Sequence, residues 1–119
     1  MATNSDANIH FSIHANSSDP ENEFLGASGT CTFYHNPFWA KFAENIFDKL
    51  VELNLKPFGS VGSFNYKVTR MSEMPSILVE QAFMSNAEDE EKLADDNFRA
   101  IMAQKIYDGL INYLKYMNN

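Results

Sequence analysis

Met74-Pro75-Ser76-Ile77-Leu78-Val79-Glu80 passes from a proline through three consecutive branched aliphatic residues to a carboxylate. An apolar run of this kind, with no polar alternation, reads as a strand buried on both faces, here extending from Ser76 to Ala82. Such a strand needs packed layers on either side. The flanking sequence supplies candidates for them. Upstream, Ala7 to His14 alternates, with Ile9, Phe11 and Ile13 on one face and Asn8, His10, Ser12 and His14 on the other, which predicts a strand ending at His14. Asn16 to Gly29 carries the Asn, Ser, Asp, Pro and Gly chemistry of a surface loop. Thr30 to Tyr34 then predicts a second strand, with Cys31 and Phe33 on one side.

Asn36-Pro37 opens a helix, with Asn as N-cap and Pro in the first helical position. Trp39, Phe42, Ile46, Leu50 and Leu53 follow at helical spacing and predict a core-facing stripe. The helix is expected to stop before Pro57. Gly59-Ser60-Val61-Gly62 reads as a flexible connection, and Phe64 to Thr69 as a further strand. Beyond the buried strand, Asn86 caps a short acidic turn. A longer helix from about Asp96 presents Phe98, Met102, Ile106, Leu110 and Leu114 on one face. The alternation of strands and helices predicts one α/β domain over residues 1–119, a largely parallel sheet with flanking helices, and sites at the C-terminal ends of the strands.

Composition narrows the function. Nine basic against 16 acidic residues give a net charge of -7, which opposes a nucleic-acid backbone. No run approaches the roughly 20 apolar residues that span a bilayer. The first eight residues lack the basic and apolar regions of a signal peptide. Cys31, the one cysteine, excludes a disulfide framework and reads as a small buried thiol.

Two residues at predicted strand ends can carry chemistry. His14 is either a hydrogen-bonded structural histidine or a metal ligand. Glu80, at the end of a buried strand, must reach water, pair with a cation, or hold its proton more tightly. On neighbouring strand ends the two would make the minimal pair for metal-assisted hydrolysis. His10 lies four residues from His14, roughly 13 Å along a strand at about 3.3 Å per residue, so the two cannot share a metal and His10 reads as structural. His35 reads as surface or rim. Met71 and Met74 read as packing, and the Gly59 to Gly62 segment lacks the lysine and hydroxyl of a phosphate loop.

Phe11-Ser12-Ile13-His14-Ala15-Asn16 and the Met74 to Glu80 run, continuing into Phe83-Met84-Ser85-Asn86 and Asp89-Glu90, resemble the hallmark segments of the zinc-dependent N-acetylmuramoyl-L-alanine amidase catalytic domain. Their order and separation fit that family over nearly the whole chain, as its C-terminal half. The resemblance implies a peptidoglycan hydrolase that cleaves the amide between N-acetylmuramic acid and L-alanine. His14 would be a zinc ligand, Glu80 the catalytic glutamate that moves the proton of a zinc-activated water, and Arg70 a residue near the substrate cleft. It also implies a location in the cell envelope, periplasmic or secreted.

The family's two other zinc ligands belong to an N-terminal half that has no counterpart before Asn8. The expectation is therefore a chain inactive by itself, with an N-terminal strand and helices missing and an exposed sheet through which copies associate. A non-catalytic wall-binding relic and an oligomerising interaction module are the alternatives.

Overall fold

The computed structural model describes residues 5–17, 28–62 and 74–118. The expected strand at Phe64 to Thr69, together with Arg70 and Met71, lies outside them. In chain order the elements are β1 (His10–Asn16), β2 (Thr30–Phe33), a 3-10 turn (Pro37–Trp39), α1 (Ala40–Val51), β3 (Pro57–Val61), β4 (Ser76–Phe83), α2 (Ala87–Ala94) and α3 (Asp96–Met117).

The sheet has the order β1-β4-β2-β3. β1 runs parallel to β4 and β2 parallel to β3, while the central pairing of β2 with β4 is antiparallel. The architecture is thus mixed α/β, with two of three pairings parallel. In β4, Ile77, Leu78 and Val79 are all buried, as the unbroken apolar run requires. Its two faces serve different clusters. Ile77 and Val79 pack with Phe42, Ile46, Leu50, Met102 and Ile106 of the helix layer, and Leu78 packs on the other side with Cys31 and Phe33. Full burial of an aliphatic or aromatic side chain contributes about 1.5–3 kcal/mol, so the helix layer holds most of the stabilising surface.

Local chemistry sets the helix boundaries. The Asn36 side chain accepts the Phe38 N–H at the entrance of the 3-10 turn that leads into α1. After Val51 the chain turns at Asn54, whose φ of 57° ends the helix well before Pro57. Asn86 accepts from the Asp89 N–H, and Asp95 from the N–H groups of Asn97 and Phe98, which starts α2 and α3.

Two expectations are corrected. Gly59 to Val61 is not a flexible connection but part of β3, with Thr32 paired to Ser60 and Phe33 to Val61. Pro57 is tolerated at the first position of β3, an edge strand among the described residues, and Gly59, at φ 136°, takes up the register shift between Thr30 and Cys31. On α3, Leu114 is 38% exposed, and Tyr113 and Gly109 are buried in its place. The face rotates because α1 crosses closely at Gly109, where an added Cβ would meet the Asn45 carbonyl oxygen and the Ile46 Cα at 2.8 Å. On β1, an edge strand among the described residues, Phe11 packs edge-on against Phe42 and Ile13 is half exposed.

Candidate active site

His14 and Glu80 are register partners on the adjacent parallel strands β1 and β4. Neighbouring strands lie about 4.8 Å apart, and partners in a pleated pair project to the same face. Glu80 follows Leu78 by two residues, so both side chains emerge on the face opposite α1 and α3. The expected pairing of an imidazole with a carboxylate is therefore present in the backbone register, but inside the strands and not at their ends, since β1 runs on past His14 to Asn16 and β4 past Glu80 to Phe83.

The strand ends around Glu80 are fixed by named bonds. The fully buried Thr30 donates its hydroxyl to the Glu80 carbonyl oxygen at 3.1 Å. Asp89, buried although it lies on the acidic α2, accepts the N–H groups of Gly29 at 2.7 Å and Phe83 at 3.0 Å, joining the start of β2 to the end of β4. Met84 donates its N–H to the Asn16 carbonyl oxygen at 2.7 Å, and the ladder shifts register between His14 and Asn16. Irregularities of this kind re-aim side chains where strands end.

The Glu80 side chain has one oxygen, Oε2, that is buried without a hydrogen-bond partner. Burial raises its pKa, and the His14 charge offsets part of that rise. A carboxyl in this setting holds its proton more readily than an exposed one, as suits a group that takes a proton and later returns it. His14 is exposed, and its Nε2 shares a 2.8 Å hydrogen bond with the Ser12 hydroxyl. Ser12 sits two positions back on the same strand face, so period-two reading could have found it. The sequence offered Asp89 only within the family-like segment and gave no sign of Thr30, because the bonds that tie them to Gly29 and Glu80 join segments 50 or more residues apart.

The remaining candidates separate cleanly. His10 shares a 3.0 Å bond through Nδ1 with the Ser76 hydroxyl at the opposite end of the β1–β4 ladder, a structural role. His35 is exposed just past β2, Met74 is buried, and Cys31 is fully buried. Among the described residues no three His, Cys, Asp or Glu side chains gather closely enough to hold a metal ion. A catalytic zinc takes about three protein ligands. The described donors around Glu80 therefore fall short of a zinc site.

A profile of the N-acetylmuramoyl-L-alanine amidase family matches residues 1–112. The chain belongs to that family. Its relatives include the amidase LytC of Bacillus subtilis, 34% identical over 119 residues, and AmiC of Neisseria meningitidis, 39% identical over 74 residues. These matches cover 96% and 62% of this chain but 23% and 18% of the relatives.

Among solved structures, the catalytic domain of the amidase CwlV from Bacillus (Paenibacillus) polymyxa var. colistinus superposes with a TM-score of 0.84 at 35% identity. The match covers 96% of this chain and 62% of that one. The amidase AmiC2 of Nostoc punctiforme superposes with the same TM-score at 32% identity and the same coverages. The chain thus spans less than a quarter of these curated amidases and under two thirds of these solved amidase chains.

Proposed function

We propose that this chain carries part of the catalytic centre of a peptidoglycan hydrolase that cleaves the amide between N-acetylmuramic acid and L-alanine in the cell envelope. The observation that carries it is the pairing of His14 with Glu80 on one face, in a chain of the amidase family. Glu80 takes a proton from the attacking water on its carboxylate and returns it to the leaving amine. Its raised pKa suits both halves of that exchange. The Thr30 and Asp89 bonds hold the backbone from which it projects.

His14 would be one ligand of the family's zinc, and the described residues do not supply the others. The chemistry a zinc ion would supply there is polarisation of the scissile carbonyl and a lowered pKa of a water. Ligation through Nε2 requires the Ser12 hydroxyl to give up its present bond to that nitrogen. Arg70 is assigned to the substrate cleft by family resemblance alone.

The test measures zinc stoichiometry and dye release from labelled peptidoglycan, on the chain alone and complemented with the N-terminal part of a related catalytic domain. The chain alone is expected to be inactive. In the complemented form, Glu80→Gln keeps its zinc and loses about 100-fold to 10,000-fold in turnover, and His14→Ala loses metal and turnover together. Normal turnover by Glu80→Gln, or loss of its zinc as readily as in His14→Ala, would show that Glu80 is not the residue that moves the proton. Peptidoglycan binding without turnover in the complemented wild type would instead favour a wall-binding chain.

A further inference from the structure

His10, Ser12 and His14 project from one face of β1, in register beside Ser76, Leu78 and Glu80 of β4. At the first position the His10 Nδ1 and the Ser76 hydroxyl share a bond across the two strands. At the second, the neighbour of Ser12 is the buried Leu78, whose side chain neither donates nor accepts. The Ser12 hydroxyl reaches instead along its own strand to the His14 Nε2, at 2.8 Å. The register partner of His14 is a carboxylate, a strong acceptor for an imidazole N–H. The ring is nevertheless bonded back to Ser12, and the Glu80 Oε2 has no hydrogen-bond partner.

A neutral imidazole carries one N–H and one lone pair, and the hydrogen bond made at one ring nitrogen sets the state of the other. Two arrangements fit the contact with Ser12. If the hydroxyl donated to Nε2, the ring proton would sit on Nδ1 and neither nitrogen would keep a free lone pair. If the Nε2–H donates to the hydroxyl oxygen, Nδ1 keeps its lone pair. The second arrangement needs no change from the tautomer that histidine favours in water. It also leaves the hydroxyl proton for solvent, which an exposed pair can reach.

We infer that Ser12 is a positioning residue for His14: its hydroxyl accepts the Nε2–H, ties the ring to β1 instead of the Glu80 carboxylate, and leaves Nδ1 as the nitrogen with a free lone pair. The use made of that lone pair rests on the proposed hydrolase function; the tautomer and its dependence on Ser12 do not. Ser-x-His on a strand is the local pattern that produces the contact, since residues two apart share a face about 6.6 Å apart at the backbone.

The experiment records two-bond proton–nitrogen correlations of the histidine rings in the whole ¹⁵N-labelled chain at about pH 8.5, well above the ordinary histidine pKa of about 6.5. The chain has three histidines, and His14→Ala identifies the signal of interest by its loss. Wild type is expected to show His14 protonated on Nε2 and bare on Nδ1. Ser12→Ala should lower that tautomer ratio about threefold to tenfold, the weight of one ordinary hydrogen bond. Ser12→Thr keeps a hydroxyl on a residue at home in a strand and should hold the wild-type ratio. The His10 signal should stay put in both variants, because its bond is to Ser76. The inference is overturned by a wild-type His14 protonated on Nδ1, by an unchanged ratio in Ser12→Ala, or by a Ser12→Thr ratio that follows Ser12→Ala. A His10 signal that moves with His14 would mean a general loosening of β1 and would also overturn it. The spectra need neither metal nor turnover, so the tautomer stands or falls separately from the zinc and dye-release measurements.

Discussion

Cys31 and Glu80 are partners across the antiparallel β2–β4 pair, and the carboxylate adds to burial in holding the thiol protonated. The Cys31 pKa is pushed from an ordinary 9.0 up to about 12. Because the folded value is the higher one, the fold gains nothing from ionisation that the unfolded chain enjoys. The stability contribution is intact below pH 9 and is lost as pH rises toward 12. Between pH 8 and 10 this amounts to about 1 kcal/mol. Urea unfolding at both pH values should show that loss in wild type and not in Cys31→Ala. A thiol reagent at pH 8 should react with the native chain only as fast as it opens.

Glu80 carries a related liability. Its pKa is raised, chiefly by burial, so its contribution to stability is present below the ordinary carboxylate range and is lost as pH rises through the folded value. In the metal-free chain, Glu80→Gln should therefore melt at a higher temperature than wild type at pH 7, and the two should converge near pH 4. A lower melting temperature for Glu80→Gln at pH 7 would mean that the carboxylate is well solvated or paired.

Asp89→Ala strips the acceptor from two buried backbone donors, those of Gly29 and Phe83. Each unsatisfied donor costs about 1–3 kcal/mol, so a loss of about 2–6 kcal/mol is expected from the urea midpoint. Asp89→Asn keeps an acceptor oxygen and should lose much less. Equal losses in the two variants would point to the charge of Asp89 rather than its bonds.

Gly109→Ala places a methyl group 2.8 Å from the α1 backbone, where no flexible side chain can yield. Overpacking of this kind costs about 1–3 kcal/mol, against a helix-propensity gain of about 1 kcal/mol. Net destabilisation by thermal melting is the expected sign. A stabilised variant would mean that α1 and α3 separate easily.

The sequence showed most where the determinants were local. The unbroken Ile77-Leu78-Val79 run, the Asn36 and Asn86 caps, and the Phe42-Ile46-Leu50 spacing each express a short-range rule, and each is present in the fold. β3 was hidden because Pro57 and Gly59 are turn residues by composition, and only pairing with β2 makes them a strand. Tyr113 displaced Leu114 from the core because the crossing of α1 at Gly109, a tertiary fact, sets the buried face. His14 and Glu80 were each visible as chemistry-bearing strand residues, though both strands run on beyond them. Their pairing depends on β1 lying directly beside β4, a matter of strand order that spacing along the chain does not encode.

That strand order divides the candidate centre by cooperativity. Glu80 stands on β4, an inner strand bonded on both sides and buried through its middle, whereas His14 stands on β1, the rim of the sheet among the described residues. Inner strands exchange their amide protons only when the whole domain opens, and rim strands do so through local fraying. The carboxylate is thus held by global stability, and the imidazole by whatever keeps one outer strand in place.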